Sequence, residues 1–213
     1  MLDALRTEAS SCTRCALSQT RTQVVFGNGH PNADLMFVGE APGFHEDQQG
    51  IPFVGQAGKL LDKLLAGIGL TRADVFVANT LKCRPPGNRD PLPDEKQKCE
   101  PWLFKQIELI RPKVVATLGN HATKQLTGKE TGITRVHGQP QPATYGSLRV
   151  TIFPIYHPAA ALYTPAMLKV LEEDFAKIPA LIEQGAEPVP SLAELMAETE
   201  TEPEPVAVQL GLF

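Results

Sequence analysis

Four apolar runs constrain this chain most: "ADLMFVGE" (33–40), "DVFVANT" (74–80), "KVVATLG" (113–119) and "LRVTIFPIYH" (148–157). A strand with one wet face alternates apolar and polar residues. These runs are nearly continuous, which suits strands of a parallel sheet buried on both sides. The segments around them carry helical spacing instead. Leu60, Leu61, Leu64, Leu65 and Ile68 repeat that way, as do Cys99, Leu103, Ile107 and Ile110, and then Leu168, Leu171, Phe175, Ile178 and Ile182. Strand–helix alternation of this kind predicts an α/β fold, a three-layer α/β/α sandwich with a mainly parallel four-stranded central sheet.

With 213 residues and 42% hydrophobic content, the chain can bury one substantial core. It has no apolar run of about 18 residues and no basic-then-apolar start, so it reads as unexported and cytoplasmic, with no membrane partner. The formal net charge is −4, yet six glutamates fall within residues 186–213, which hold no Lys or Arg; residues 1–185 therefore carry +2. A mildly basic body with an acidic tail suits a polyanionic partner. Residues 1–185 are expected to form one domain. Residues 186–208, rich in Glu and Pro, read as a disordered linker that has room for a short helix over 191–198 but offers it no core.

In open α/β sheets, ligands bind beyond the carboxyl ends of the strands. Four unusual segments fall there: "GEAPG" (39–43), "NTLKCRPPGNR" (79–89), "LGNHA" (118–122) and "HPAAAL" (157–162). They should converge on one crevice. "GEAPG" lacks the order of a dinucleotide loop and "FVGQAGKLL" that of a P-loop, so a phosphate cradle is not expected.

Cys12 and Cys15 form a C-x₂-C pair, while Cys83 and Cys99 follow singly. Two disulfides do not suit a reducing compartment. Zinc usually takes two C-x₂-C knuckles, and the second is missing; an iron–sulfur cluster accepts more varied spacings. Spacing alone leaves zinc and iron–sulfur open. Either would tie the N-terminus, the Pro-rich loop and the following helix together.

"GEAPGFHEDQQGIPFVGQAGKLLD", then "NTLKCRPPGNRDP", then "HPAAAL", together with the four cysteines, resemble the family-four uracil-DNA glycosylases, the iron–sulfur type. The resemblance covers about residues 1–180. It implies the uracil-DNA glycosylase-like fold, a [4Fe-4S] cluster on Cys12, Cys15, Cys83 and Cys99, and release of uracil from DNA to leave an abasic site. Such an enzyme flips the nucleotide into a tight pocket, reads its edge, stacks the base and stabilises the departing anion. The resemblance places the uracil-reading residue at Asn79, whose amide can accept from N3–H and donate to O4 where cytosine presents the reverse. It makes Phe53 the stacking ring and His157 the donor to uracil O2. Glu40, Ala41 and Pro42 form the first motif. Better-known uracil glycosylases carry a water-handling Asp where Ala41 stands, so water passes to Glu40, Glu46 or Asn88. Glu46 is also placed to exclude the methyl group of thymine.

Lys82, Arg84 and Arg89 are expected on the DNA backbone, with Ala160, Ala161 and Leu162 as a wedge into the vacated stack. Tyr163 stands where family members often carry a basic residue. The final "QLGLF" resembles the peptide by which bacterial proteins dock on the replication sliding clamp, with Gln209 in a polar subsite and Leu210, Leu212 and Phe213 in an apolar groove. A monomer is expected. Two other readings stand beside turnover of deoxyuridine: excision of other deaminated bases, and capture of uracil sites without turnover. The related subgroup that traps DNA covalently carries "GEQPG" and an "RRIH"-like insert, both absent here.

Overall fold

The computed structural model describes residues 1–185; the linker, its short helix and the terminal peptide lie outside the described residues. The elements run α1 (Leu2–Ser10), β1 (Asn28–Gly29), β2 (Leu35–Gly39), α2 (Phe44–Gln49), α3 (Gln56–Gly67), β3 (Phe76–Asn79), α4 (Pro93–Ile110), β4 (Val114–Leu118), α5 (Asn120–Thr127), α6 (Ile133–Val136), β5 (Gln141–Tyr145), β6 (Leu148–Ile155), α7 (Pro165–Phe175) and α8 (Ile178–Gln184). Short 3₁₀ turns occupy Ala16–Gln19, Pro86–Asn88 and Pro158–Ala161.

The sheet has six strands, not four, in the order β1-β3-β2-β4-β6-β5. The four apolar runs supply its parallel centre, and β1 and β5 add antiparallel edges. Neither edge announces itself in the sequence. β1 is two residues long, and β5 reads "QPATY", a half-exposed strand whose Pro142 is tolerated at an edge.

Burial on both faces follows from the period of two. Met36 and Val38 face α4 and α5, meeting Trp102, Leu103, Ile107 and Ala122. Leu35 and Phe37 face α3, α7 and α8, meeting Leu61, Leu65, Leu171 and Ile178. Phe37 stacks on Phe175 with centroids 5.6 Å apart, a pairing that adds about 1 kcal/mol beyond its buried area. The single helix expected over Leu168–Ile182 is two. Pro179 has no N–H to give the Phe175 carbonyl, so α7 ends there and α8 starts afresh.

Register sets the position of the site. Gly39 pairs with Asn79, Val38 with Thr117, and Leu118 with Ile155. The four parallel strands therefore end at one level, and the segments that follow them leave from a common edge. No helix among the described residues is long and apolar enough to cross a membrane.

Candidate active site

Glu40, Ala41, Pro42, Glu46, Phe53, Asn79, Asn88 and His157 all line one cavity of about 550 Å³ at that edge. The convergence expected from the strand ends holds, including the β4 end: a side chain on Gly119 would press on His157 Cβ, and His121 Nδ1 lies 3.8 Å from Glu40 Oε1.

Asn79 is the last residue of β3 and 2% exposed. Among the described residues nothing hydrogen-bonds its amide, which faces the cavity. The amide opens on the cavity with its donor and acceptor both free for a base of matching edge. Gly39 makes room for it: a Cβ there would sit 2.5 Å from Asn79 Oδ1 and 2.7 Å from Phe53 Cζ.

Phe53 is buried and holds φ of +56°, a region that non-glycine residues seldom occupy. Its surroundings hold it there. Arg72 Nη2 donates to the Phe53 carbonyl at 2.9 Å while Arg72 Nε pairs with Asp62 at 2.5 Å. The N–H groups of Val54 and Gly55 donate to Glu46 Oε1 at 3.0 and 3.2 Å. Glu46 thus anchors the loop that presents the ring and sits at the N-terminus of α3. Strain of this kind persists only where the surroundings over-determine it.

His157 stacks on Phe53 with centroids 5.6 Å apart and 29° between planes. Burial pushes its pKa down to about 4, opposed by the Glu46 carboxylate. The ring is therefore neutral at pH 7. Its Nδ1 accepts the Ala159 N–H at 3.1 Å, which leaves the proton on Nε2. A neutral Nε2–H donor is the result.

Glu40 is half-buried, and burial raises its pKa above the usual carboxylate value; Asp90 adds to the rise, while His121 and Lys96 oppose it. Glu40, Asp90 and His121 each bring one ligand-capable atom within 4.8 Å of the others. The Glu40 backbone is fixed to β3, its carbonyl accepting from Leu81 N at 2.9 Å and Thr80 Oγ1 at 2.7 Å. Asn88 also has a positive φ, and its Oδ1 accepts from Arg84 Nε at 2.7 Å. Sequence reasoning missed Arg72, Asp90 and His121 as site residues: Asp90 and His121 fall inside "NTLKCRPPGNRDP" and "LGNHA" but were given no role there, and Arg72 falls in no motif.

Cys12, Cys15, Cys83 and Cys99 line a second, smaller cavity together with Trp102, Arg21 and Lys82. All four are free thiols. Arg21 Nη1 donates to Cys83 Sγ at 3.3 Å, and the Lys82 N–H to Cys99 Sγ at 3.2 Å. Burial pushes Cys99 up to about 11 and raises Cys83 as well, so these thiols ionise only against a compensating positive centre. Four thiolates on one zinc ion at about 2.3 Å would lie about 3.8 Å apart. Among the described residues no three of these sulfurs come within 4.8 Å of one another. That spread does not suit one ion. All four line one cavity, and the donor set fits a cluster that offers a separate iron to each thiolate.

Two expected DNA contacts fall elsewhere. Lys82 is 2% exposed. Its ammonium donates to the Asn79 carbonyl at 2.8 Å and to Gln106 Oε1 at 2.5 Å, so it cannot reach a phosphate. Ala161 packs into the core beneath its turn and cannot act as a wedge, whereas Ala160 and Leu162 are exposed. Arg89 lines the cavity and Arg84 reaches it only through its bond to Asn88, and both nitrogens of the Arg89 fork are held by Glu95, at 2.9 and 2.6 Å.

A doubly covered, mainly parallel sheet with a cavity beyond the carboxyl ends of its central strands defines a class that comparison identifies: residues 26–178 match the family model of the uracil DNA glycosylase superfamily, and the chain belongs to that superfamily. Within it the similarity is to the type-4 enzymes. The chain is 50% identical over 182 residues to a type-4 uracil-DNA glycosylase of Sulfurisphaera tokodaii, covering 83% of each chain. It is 47% identical over 181 residues to one of Archaeoglobus fulgidus, covering 83% of this chain and 91% of that one. For the type-4 enzyme of Thermotoga maritima the figures are 38% over 187 residues, 86% and 96%.

Proposed function

We infer that this chain excises uracil from DNA, hydrolysing the N-glycosidic bond of deoxyuridine to leave an abasic site for base-excision repair. The observation that carries the reading is the pocket's donor–acceptor set: an Asn79 amide open to the cavity, the Phe53 ring, and a neutral His157 with its proton on Nε2. Asn79 reads N3–H and O4 of the flipped base while Phe53 stacks on its face. His157 donates to O2 as negative charge gathers there, and no proton need be transferred, because a neutral preorganised donor stabilises the departing anion by itself.

Water must add to C1′ as the bond to N1 breaks. Of the three candidates, Glu40 is best placed. One Glu46 oxygen is occupied by the Val54 and Gly55 amides and the Asn88 Oδ1 by Arg84, whereas Glu40 lines the cavity with His121 and Asp90 within 4.8 Å of its carboxylate. Ionised, Glu40 also favours the cationic character that develops on the sugar. Glu46 then holds the wall of the pocket nearest a 5-methyl group.

Cys12, Cys15, Cys83 and Cys99 would hold a [4Fe-4S] cluster, whose role at this distance from the pocket is to fix the N-terminus, the 83–99 loop and α4 to one another. Arg84 and Leu162 would meet the DNA, with Arg89 at the mouth. The terminal Gln209, Leu210, Leu212 and Phe213 would dock on a sliding clamp. Deleting residues 209–213 should abolish clamp binding and leave excision from a short oligonucleotide unchanged; intact clamp affinity would dismiss the idea.

The reading is tested by incubating anaerobically purified protein with a single-uracil oligonucleotide, followed by alkaline cleavage. Abasic product in excess of enzyme supports it. A shifted band with no product would favour a capture protein instead.

A further inference from the structure

Between the cysteine centre and the pocket lies a buried chain of polar groups that neither site accounts for. Lys82 follows Asn79 by three residues, just beyond β3. Its N–H donates to Cys99 Sγ at 3.2 Å. Its side chain runs back beneath the strand end, where the ammonium donates to the Asn79 carbonyl at 2.8 Å and to Gln106 Oε1 at 2.5 Å. Gln106, fully buried on α4, donates in turn from Nε2 to the Phe26 carbonyl at 2.8 Å. Cys99 and Gln106 are on the same helix. Lys82 therefore joins α4, through Cys99 and Gln106, to the base-reading residue, while Gln106 also ties α4 to the Phe26 carbonyl.

Building such a chain is costly. A buried ammonium must be matched by acceptors, and removing one partner of a buried charged bond is far more damaging than loss of a surface contact. The DNA phosphates, which would suit an exposed lysine, are out of reach. A purely apolar side chain of similar length would fill the same space at no desolvation cost. What only an ammonium supplies is a bond to the Asn79 carbonyl, which fixes the peptide plane at the end of β3 and with it the direction in which the Asn79 amide leaves the backbone. Tolerance there is small, since Gly39 must lack a Cβ for Asn79 Oδ1 and the Phe53 ring to fit above it.

We propose that Lys82 is a positioning residue which ties the base-reading end of β3 to the cysteine-bearing helix, so that the metal centre and uracil recognition act as one mechanical unit through Lys82 and Gln106. The inference rests on the reading of the pocket given above. It assigns to the cysteine centre an effect on catalysis that passes through backbone placement, with no electron or proton exchanged.

The test uses the full chain, purified without oxygen, as wild type and as Lys82→Met and Gln106→Leu. Three things are read: iron per chain, kcat and KM on a single-uracil oligonucleotide, and amide hydrogen exchange along the sheet. Wild-type protein that holds iron but releases no uracil would overturn the underlying reading and this inference with it. With wild type active, Lys82→Met should keep its iron and lose about 10- to 100-fold in kcat, the scale of a misplacement near 1 Å. Its KM should stay within about threefold, and exchange should quicken at residues 79–82 while β4 is unchanged. Gln106→Leu, which spares the bond to Asn79, should move the same readouts in the same direction by a smaller factor. Should Lys82→Met prove insoluble, Gln106→Leu decides alone. Unchanged kcat in a soluble variant with only a lower melting temperature would reduce Lys82 to a packing role and overturn the proposal. Exchange that quickens equally across the whole sheet would do the same.

Discussion

Replacing His157 with Leu separates two consequences of one buried ring. The substitution keeps the volume beside Phe53 and removes the Nε2–H. Loss of a preorganised donor to a developing anion costs about 10²- to 10³-fold in kcat, and KM should change far less because the bond strengthens only as the base departs. The ring's depressed pKa adds an effect on stability. The unfolded chain takes up a proton near 6.5, whereas the native ring does so only near 4. Between those values the unfolded state binds more protons, so acidification destabilises the wild type progressively below pH 6.5. The loss is complete below pH 4 and amounts to about 3 kcal/mol. His157→Leu has no such group and should lose correspondingly less stability over the same window. The assay is single-turnover excision from a short oligonucleotide between pH 4.5 and 8.5, with melting temperatures in the same buffers. Wild-type activity that falls with a midpoint near 6.5, a fall absent from the leucine variant, would show that the ring ionises in the ordinary range and refute the neutral-donor argument. So would a leucine variant within about threefold of wild type.

Other outcomes follow from the same geometry. Glu40→Gln should lower kcat by about 10²- to 10⁴-fold and abolish the acid limb of the pH–rate profile, because burial raises the Glu40 carboxyl pKa and its protonation removes the charge that handles water. Gly39→Ala pushes a methyl group against Asn79 Oδ1 and the Phe53 ring; it should cost about 1–3 kcal/mol by urea titration, and uracil excision should fall further than stability does. Arg72→Met frees the Phe53 carbonyl and should cost about 1–2 kcal/mol, with KM rising as the ring loses its fixed pose. Cys83→Ser should lower iron per chain, measured by colorimetric assay, and lower the melting temperature with it.

Much of the site was open to reading because its residues cluster where strands end. Asn79, Glu40 and His157 stand at the ends of apolar runs, so finding the strands brought these segments to one edge, while the roles given to the residues come from the resemblance. Burial was harder to read. Lys82 stands in a stretch of basic and Pro residues that resembles a surface loop, and only the fold shows its stem turning inward. A cue did exist on α4: Gln106 falls between Leu103 and Ile110 on the apolar face, and an amide in that position requires a buried partner. Arg72 left no cue, because it holds the backbone carbonyls of Phe53 and Gly58, and the unusual φ of Phe53 is invisible in sequence. The edge strands were lost to brevity and to Pro142. Ala161 was misplaced because a 3₁₀ turn alternates exposure within four residues, a period too short to register in composition.

The common level at which the four parallel strands end also dictates when the protein can begin to work. Glu40 and His157 are separated by most of the domain's length, and the strand that carries His157 is the last of the parallel four to be synthesised. A chain still emerging from the ribosome has its first cysteine pair and its first pocket motif long before the residues that complete either. Contacts so distant in sequence form slowly, since the loops between them must close first. Activity therefore arrives all at once, with the final parallel strand, and an incomplete chain has no base pocket with which to open a glycosidic bond.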